Sequence, residues 1–198
     1  MTTLTAIVTA HDESPTSILC NLGQQTVVPD QVLVGMSKPP ASWQMPPLPF
    51  PVTLVTSPDE KDFGYRKRNR LITAATSHFV GFFCHDDSYS PEYIQTMIET
   101  AEAYGADVVF CPWNDIPNCK FAGCSSTLGN FIVRTQLLKE QGGFPAPHDG
   151  NEGMRDAALI EMLKYTGAKI VSAGALMYYH NIPFLPGTKV TVWGVTKK

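Results

Sequence analysis

The feature that most constrains the fold of this chain is the alternation of short apolar runs with helix-forming segments. The runs whose β-branched and aromatic content predicts buried strands are residues 4–10, 31–35, 52–56, 78–83, 107–111, 129–134, 169–171 and 175–179. The segments that predict helices are residues 14–25, 65–76, 90–104 and 155–166, with one more between residue 134 and Gly142-Gly143. This alternation predicts an α/β fold with a mainly parallel sheet flanked by helices on both faces.

Proline placement indicates where helices begin and where regular structure stops. Ser14-Pro15 and Ser90-Pro91 each put an N-cap residue before a proline at the first helical position, so both serines are expected to cap a helix. Six prolines lie within residues 39–51, and proline supplies no backbone N–H to a helix or a sheet. That segment is therefore expected to be a stiff surface connection.

Size and composition exclude several classes of protein. A chain of 198 residues, 43% hydrophobic and 17% charged, is expected to form one globular domain with its own core. Its formal net charge of -3 argues against nucleic-acid binding by charge. No apolar run approaches the roughly 18 residues of a membrane span, and the first residues do not resemble a secretion signal. Five irregularly spaced cysteines favour a reducing compartment, so a cytoplasmic location is expected.

The strongest chemical feature is Cys84-His85-Asp86-Asp87, which directly follows the most apolar predicted strand. In a parallel sheet, ligands bind beyond the carboxyl ends of the strands. Two neighbouring carboxylates at such an end are suited to a hard divalent cation that also contacts a diphosphate. The competing interpretation is that one of the two aspartates only caps the following turn.

Three further polar features each give weaker evidence for a functional site when taken alone. Residues 64–70 (GYRKRNR) concentrate four cations, which can hold a diphosphate but are more often a solvated helix face. Asp156 follows the polar tract 148–155, where it can act as a general base or simply complement the helix dipole. His180 ends the last predicted strand of the alternating region and can be a metal ligand or a structural residue.

Taken in order, these features resemble the nucleotide-sugar-dependent glycosyltransferases of family two, which have the GT-A fold. Residues 5–34 look like that family's first strand, polar turn, helix and second strand. Residues 64–94 look like its arginine-asparagine helix followed by the strand and aspartate motif, and residues 131–144 look like its acceptor-side strand, helix and G-G-F turn. Asp156, with Leu159 three residues on, matches its acidic motif, and the similarity extends over residues 4–181.

The resemblance implies one GT-A, Rossmann-like domain over residues 1–181, followed by a tail of residues 182–198. Within the tail, residues 188–193 alternate apolar and polar side chains. They are expected to form an edge strand, a lid over the donor or a strand that pairs between subunits.

The resemblance also implies an activity. It is the transfer of a hexosyl group, with inversion, from a nucleoside diphosphate donor to an acceptor hydroxyl, and a UDP-sugar is the favoured donor. The implied site residues are Asp12 and Glu13 at the nucleotide base, Arg68 and Asn69 near the donor, Asp86 and Asp87 on Mn²⁺ or Mg²⁺ at the diphosphate, His180 as a further metal ligand, and Asp156 as the base. The acceptor class stays open among glycan, lipid, protein and modified nucleobase.

At three positions the chain departs from the common family pattern. Cys84 stands where the aspartate motif often begins, Met36 lies where members usually offer an aspartate to the nucleotide, and Arg155 replaces the glutamate before the base. These departures leave open a different donor, looser metal dependence, or a degenerate module that binds or assembles without catalysis. A nucleotidyltransferase is disfavoured because AHDESP, and not a glycine-rich cationic loop, follows the first strand.

Overall fold

The computed structural model of the chain describes residues 1–56, 58, 64–113, 128–145, 155–175, 177–179, 188–191 and 194–197. The strands are β1 Leu4–Ala10, β2 Gln31–Met36, β3 Val52–Thr56, β4 Phe79–Cys84, β5 Ser88–Tyr89, β6 Val108–Phe110, β7 Phe131–Arg134, β8 Ile170–Ser172, β9 Tyr178–Tyr179, β10 Thr188–Thr191 and β11 Gly194–Lys197. The helices are α1 Thr16–Leu22, α2 Tyr65–Ala74, α3 Tyr93–Tyr104, α4 Thr135–Glu140 and α5 Arg155–Tyr165. None of these described helices has the length and apolarity needed to cross a membrane.

Seven strands form one mixed sheet in the order β3-β2-β1-β4-β7-β6-β8. β1 pairs in parallel with β2 and β4, β2 with β3, and β6 with β8, whereas β7 is antiparallel to both of its neighbours. The predicted α/β class with a mainly parallel sheet is confirmed. Because β2, β1 and β4 are adjacent and parallel, their carboxyl ends lie side by side at one edge of the sheet.

The core lies on both faces of this sheet, as the alternation along β1 shows. Ala6 and Val8 pack in one apolar cluster with side chains of α1 and α3, whereas Ile7 packs in a second cluster with side chains of α2, α4 and α5. Successive side chains of a strand point to opposite faces, so a strand covered on both sides is mostly apolar, and the only polar side chains of β1 are those of Thr5 and Thr9. Each residue of β1 is accordingly buried or nearly so.

One predicted helix start and one predicted helix end need correction. The helix predicted from Ser90-Pro91 begins at Tyr93, and the Ser90 hydroxyl is buried without a hydrogen-bond partner among the described residues. Its first turn is capped from elsewhere, because the Gln25 Oε1 accepts the Ile94 N–H at 3.1 Å. The helix predicted to reach Gln25 ends at Leu22, which leaves the Gln25 side chain to make this long-range contact. The proline-rich segment 39–51 contains no helix or strand, as predicted.

The last strands also differ from expectation. The predicted strand 175–179 is reduced to β9, which pairs antiparallel with β5 and does not join the large sheet. In the tail, β10 and β11 form an antiparallel two-stranded sheet of their own. Within the described residues of the tail, β10 and β11 therefore pair with each other and not with the main sheet. Its role as a lid or as a strand between subunits stays a prediction.

Candidate active site

The aspartate motif lies where β4 ends, at the edge of the sheet that also carries the ends of β1 and β2. The Cys84 Sγ and one carboxylate oxygen from each of Asp86 and Asp87 all lie within 4.8 Å of one another. Asp87 is fully buried, whereas the Asp86 side chain is 45% exposed. This donor set fits a divalent cation, because two oxygen ligands come from one strand end and the exposed side stays accessible to a phosphate.

Asp87 is held in place by a tyrosine that is distant in sequence. The Tyr178 O–H donates a 2.8 Å hydrogen bond to Asp87 Oδ2 inside the protein. Pairing of β5 with β9 brings Tyr178 opposite Tyr89, and the two rings stack with centroids 5.1 Å apart. Gly129 lies against this stack, and a Cβ there would come within 2.4 Å of the Tyr178 ring. The small residue at Gly129 therefore makes room for the tyrosine that orients Asp87.

Asp156 lies in the first turn of α5 and faces the second helix. The Tyr65 O–H donates a 3.0 Å hydrogen bond to Asp156 Oδ1. Burial raises the pKa of the Asp156 carboxyl, and the Arg68 guanidinium and the Tyr65 hydrogen bond act in the opposite direction. A carboxylate with a raised pKa accepts protons more readily near neutral pH, which is the property a general base needs.

The charges of these groups act on the Cys84 thiol. Burial raises the pKa of the Cys84 thiol, and the Asp87 carboxylate raises it further. Asp86 and Asp156 act in the same direction, whereas the Arg68 guanidinium lowers the pKa. Since charge effects weaken with distance, four of the predicted site residues and Cys84 lie close together. The structure thus brings together Arg68, the aspartate pair and Asp156.

Only part of the basic cluster on α2 lies on a solvated face. Lys67 and Arg68 are 6% and 8% exposed, whereas Arg66 and Arg70 are exposed. The Arg68 guanidinium carbon lies 5.3 Å from the centroid of the Tyr65 ring, which is a cation–π geometry. The interpretation of this cluster as a solvated face is therefore wrong for half of it.

Lys67 is a buried cation that the sequence did not single out. Its Nζ donates to the Ala10 carbonyl at 2.9 Å and to the Ser37 hydroxyl at 2.6 Å, so it bridges the ends of β1 and β2. Gly35 provides the space, because a Cβ there would lie 2.7 Å from the Lys67 stem. A glycine near the end of an apolar strand was the available signal, and by itself it does not name its neighbour.

Glu13 and Asp12 follow β1 on the exposed side of the same edge. Glu13 Oε2 is in ion-pair contact with His85 Nε2, which joins the loop after β1 to the loop after β4. His85 Nδ1 also lies 4.0 Å from Asp86 Oδ1. The contact places Glu13 beside the aspartate motif, while the roles of Asp12 and Glu13 at a nucleotide base stay predictions.

Asn69 is engaged with the G-G-F turn. Its Nδ2 donates to the Phe144 carbonyl at 2.9 Å, and its Oδ1 accepts the Phe144 N–H at 2.8 Å. Gly143, at φ 79°, approaches so closely that a Cβ would lie 2.4 Å from the Asn69 Oδ1. Both amide atoms therefore position the turn after α4, and the predicted contact of Asn69 with a donor stays a prediction.

Met36 and His180 are the remaining positions of interest. Met36 is fully buried at the end of β2 and packs in the apolar core. His180, the polar tract 148–154 and the side chain of Arg155 lie outside the described part of the structure. The prediction that His180 is a metal ligand therefore has no structural test.

Comparison with known proteins identifies a family. The model of glycosyl transferase family 2 matches residues 44–163, which is more than half of the chain. No curated protein sequence shows a significant match. The similar solved structures include S. aureus TarS 1-349, with a TM-score of 0.66 at 20% identity over 90% of this chain. TarS 1-349 in complex with UDP-GlcNAc gives a TM-score of 0.66 at 21% identity over 89% of this chain.

These structural similarities concern the fold. The chain covers only 60% and 58% of the two TarS chains, and identities near 20% leave side-chain roles undetermined. The shared architecture is the mixed sheet with helices on both faces, as the GT-A resemblance implied. What acts at the edge of this sheet has to be inferred from the residues of this chain.

Proposed function

The chain belongs to glycosyl transferase family 2, and from this premise we propose that it transfers a hexosyl group from a nucleoside diphosphate to an acceptor hydroxyl, with inversion. The observation that carries the proposal is the gathering of Arg68, Asp86, Asp87 and Asp156 around Cys84 at the carboxyl edge of the sheet. Such a displacement requires a cation site and a base, and the charges of both the aspartate pair and Asp156 act on Cys84.

The donor side of the proposal rests on charge. Asp86 and Asp87 would hold Mn²⁺ or Mg²⁺ on the diphosphate, with His180 as a further ligand. When bound, this ion neutralises the negative charge that grows on the leaving diphosphate. Arg68 supports the same charge through its buried guanidinium, and an interaction that strengthens as the bond breaks accelerates the reaction. Tyr178 keeps Asp87 fixed during the step.

The acceptor side rests on Asp156. Its carboxylate would take the proton of the attacking hydroxyl while the oxygen forms its bond to the anomeric carbon and the diphosphate leaves from the opposite face. The Tyr65 hydrogen bond orients the carboxylate, and burial keeps its proton affinity high. Proton transfer to a positioned group of this kind contributes roughly 10²- to 10⁴-fold to a rate.

We propose a UDP-sugar as the donor. The TarS structures with UDP-GlcNAc and with UDP share the fold of this chain, and this similarity supports a uridine nucleotide at the same edge. Asp12, Glu13 and Asn69 would line the nucleotide and sugar. We also propose a cytoplasmic location, and the absence of a disulfide at Cys20, Cys84 and Cys111, the cysteines that the structure describes, agrees with it.

The first experiment tests the donor site. The thermal midpoint of the chain is measured with a panel of nucleoside diphosphate sugars and Mn²⁺. A UDP-sugar is expected to raise the midpoint of the wild type and of Glu140→Ala, which removes an exposed carboxylate on α4. Asp86→Ala is expected to lose most of the shift. If no donor shifts the wild type, the donor site is wrong.

The second experiment tests the base and separates an enzyme from a degenerate binding module. Asp156→Asn keeps the shape of the side chain but cannot accept the proton, so it should lower turnover about 10²- to 10⁴-fold and leave the donor-induced thermal shift intact. Glu161→Gln, on the exposed side of the same helix, is the matched control. Donor binding without release of free nucleoside diphosphate by the wild type would favour the module.

A further inference from the structure

Cys84 occupies a different environment from that of a packing cysteine. Cys111, which is fully buried, belongs to the apolar core cluster, whereas Cys84 does not. Cys84 ends β4, paired in register with Thr9, and its thiol is free. Its Sγ lies within 4.8 Å of carboxylate oxygens of both Asp86 and Asp87. A sulfur atom is therefore part of the same donor group as the two aspartates.

The sulfur atom and the two carboxylate oxygens are close enough together to bind one metal ion. Zinc binds sulfur at about 2.3 Å and carboxylate oxygen at about 2.0–2.2 Å, which puts the ligand atoms of one tetrahedral ion roughly 3.5 Å apart. The half-exposed Asp86 can rotate to reduce the remaining separation, while Asp87 is fixed by the hydrogen bond from Tyr178. Three ligands from one strand end leave further positions for phosphate oxygens.

We propose that the Cys84 Sγ is a ligand in this metal site and that the site consequently prefers a thiophilic divalent cation, Zn²⁺ or Co²⁺, over Mg²⁺. The inference rests on the proposed function for the existence of the site and adds its metal preference. Thiolate ligands favour zinc-like ions, whereas sites built only from carboxylate and water oxygens suit Mg²⁺ and Mn²⁺. On binding, a sulfur–metal bond replaces the S–H bond, and the proton is released to solvent.

The test uses the full chain and CoCl₂ as the probe. Sulfur ligation gives a sulfur-to-cobalt charge-transfer band in the near ultraviolet, and this band is expected in the wild type. Cys84→Ser should lose the band. It should also bind Co²⁺ more weakly than the wild type, by at least the roughly 10- to 100-fold that loss of a group supporting a ligand costs. Cys20→Ser, which removes the half-buried thiol of α1, and a Cys119→Ser/Cys124→Ser variant should keep the band.

A second measurement does not depend on the folding of the Cys84 variant. X-ray absorption of the wild type loaded with ZnCl₂ should show a sulfur shell at about 2.3 Å. Cobalt or zinc bound with oxygen or nitrogen neighbours alone, and lost in Asp86→Asn, would overturn the sulfur ligand while leaving the proposed function intact. A donor-induced thermal shift that no divalent cation affects would overturn the metal site as well.

Discussion

The two sides of α2 differ although their cations are neighbours in sequence. Arg66 and Arg70 are exposed, whereas Lys67 and Arg68, which lie between them in sequence, are buried. Lys67 contacts the ends of β1 and β2, and the Arg68 charge acts on Cys84 and Asp156. Charge density alone does not tell these pairs apart. What separates them is the helical period, which turns adjacent residues of α2 toward the sheet and the outer two toward solvent. Function is therefore expected on one side only.

The largest difference between the two sides of α2 is expected at Arg68. Arg68→Gln removes the positive charge near the proposed diphosphate, so kcat/KM should fall about 10²- to 10³-fold, as on removal of a transition-state hydrogen-bond donor. Arg66→Gln changes the same residue type on the outer side and should alter kcat/KM less than twofold. Steady-state kinetics with a UDP-sugar measures both. Equal losses in the two variants would contradict the division of the helix.

The difference between the two sides of α2 is also expected in the free energy of unfolding, where Lys67 is the residue to change. Lys67→Met keeps much of the stem but leaves the Ala10 carbonyl and the Ser37 hydroxyl without their ammonium donor. An unsatisfied buried polar group costs roughly 1–3 kcal/mol, so the free energy of unfolding should fall by about that amount.

The matched variant is Arg70→Met, three residues along and exposed, which should change the free energy by no more than about 0.5 kcal/mol. Urea denaturation of both proteins measures the difference. An unchanged Lys67→Met would show that these two hydrogen bonds do not contribute to stability.

The same contrast explains what the sequence could predict. β1 is predicted to the residue, because a strand buried on both faces is a nearly continuous run of apolar and β-branched residues and this pattern is local. The start of α3 is predicted incorrectly, because its cap comes from Gln25, far away in the chain. Local signals such as Ser90-Pro91 cannot report a partner supplied by another element.

In the candidate site, too, local patterns are predictable from the sequence and long-range contacts are not. The aspartates after β4 are recognisable because the acids follow directly on an apolar strand. Tyr178 and Tyr65, which hold Asp87 and Asp156, reach them across 91 residues each, and no spacing in the sequence indicates such pairs. The burial of Lys67 likewise depends on the absence of a side chain at Gly35 in another strand.

Tyr65 gives the smallest and most specific expected effect. Tyr65→Phe keeps the ring that packs against Phe144 at 5.3 Å and removes only the hydroxyl bonded to Asp156. That hydrogen bond lowers the pKa of Asp156, so its loss should raise this pKa further. Because the base must be ionised to act, the acid limb of the kcat/KM profile should move to higher pH, while the plateau changes only a few-fold. Tyr104→Phe, an exposed tyrosine on α3, should leave the profile unchanged.

The raised pKa of Asp156 also predicts how the stability of the fold depends on pH. The pKa of Asp156 is raised in the folded state, so the fold binds this proton more tightly than the unfolded chain does. Stability should therefore decrease as pH rises from the unfolded carboxyl value near 3.9 through the folded pKa, and stay lower above it. Tyr65→Phe should widen the pH range over which stability decreases, and Asp156→Asn should remove this decrease. An acid limb that moves to lower pH in Tyr65→Phe would show that the tyrosine hydroxyl does not stabilise the ionised base.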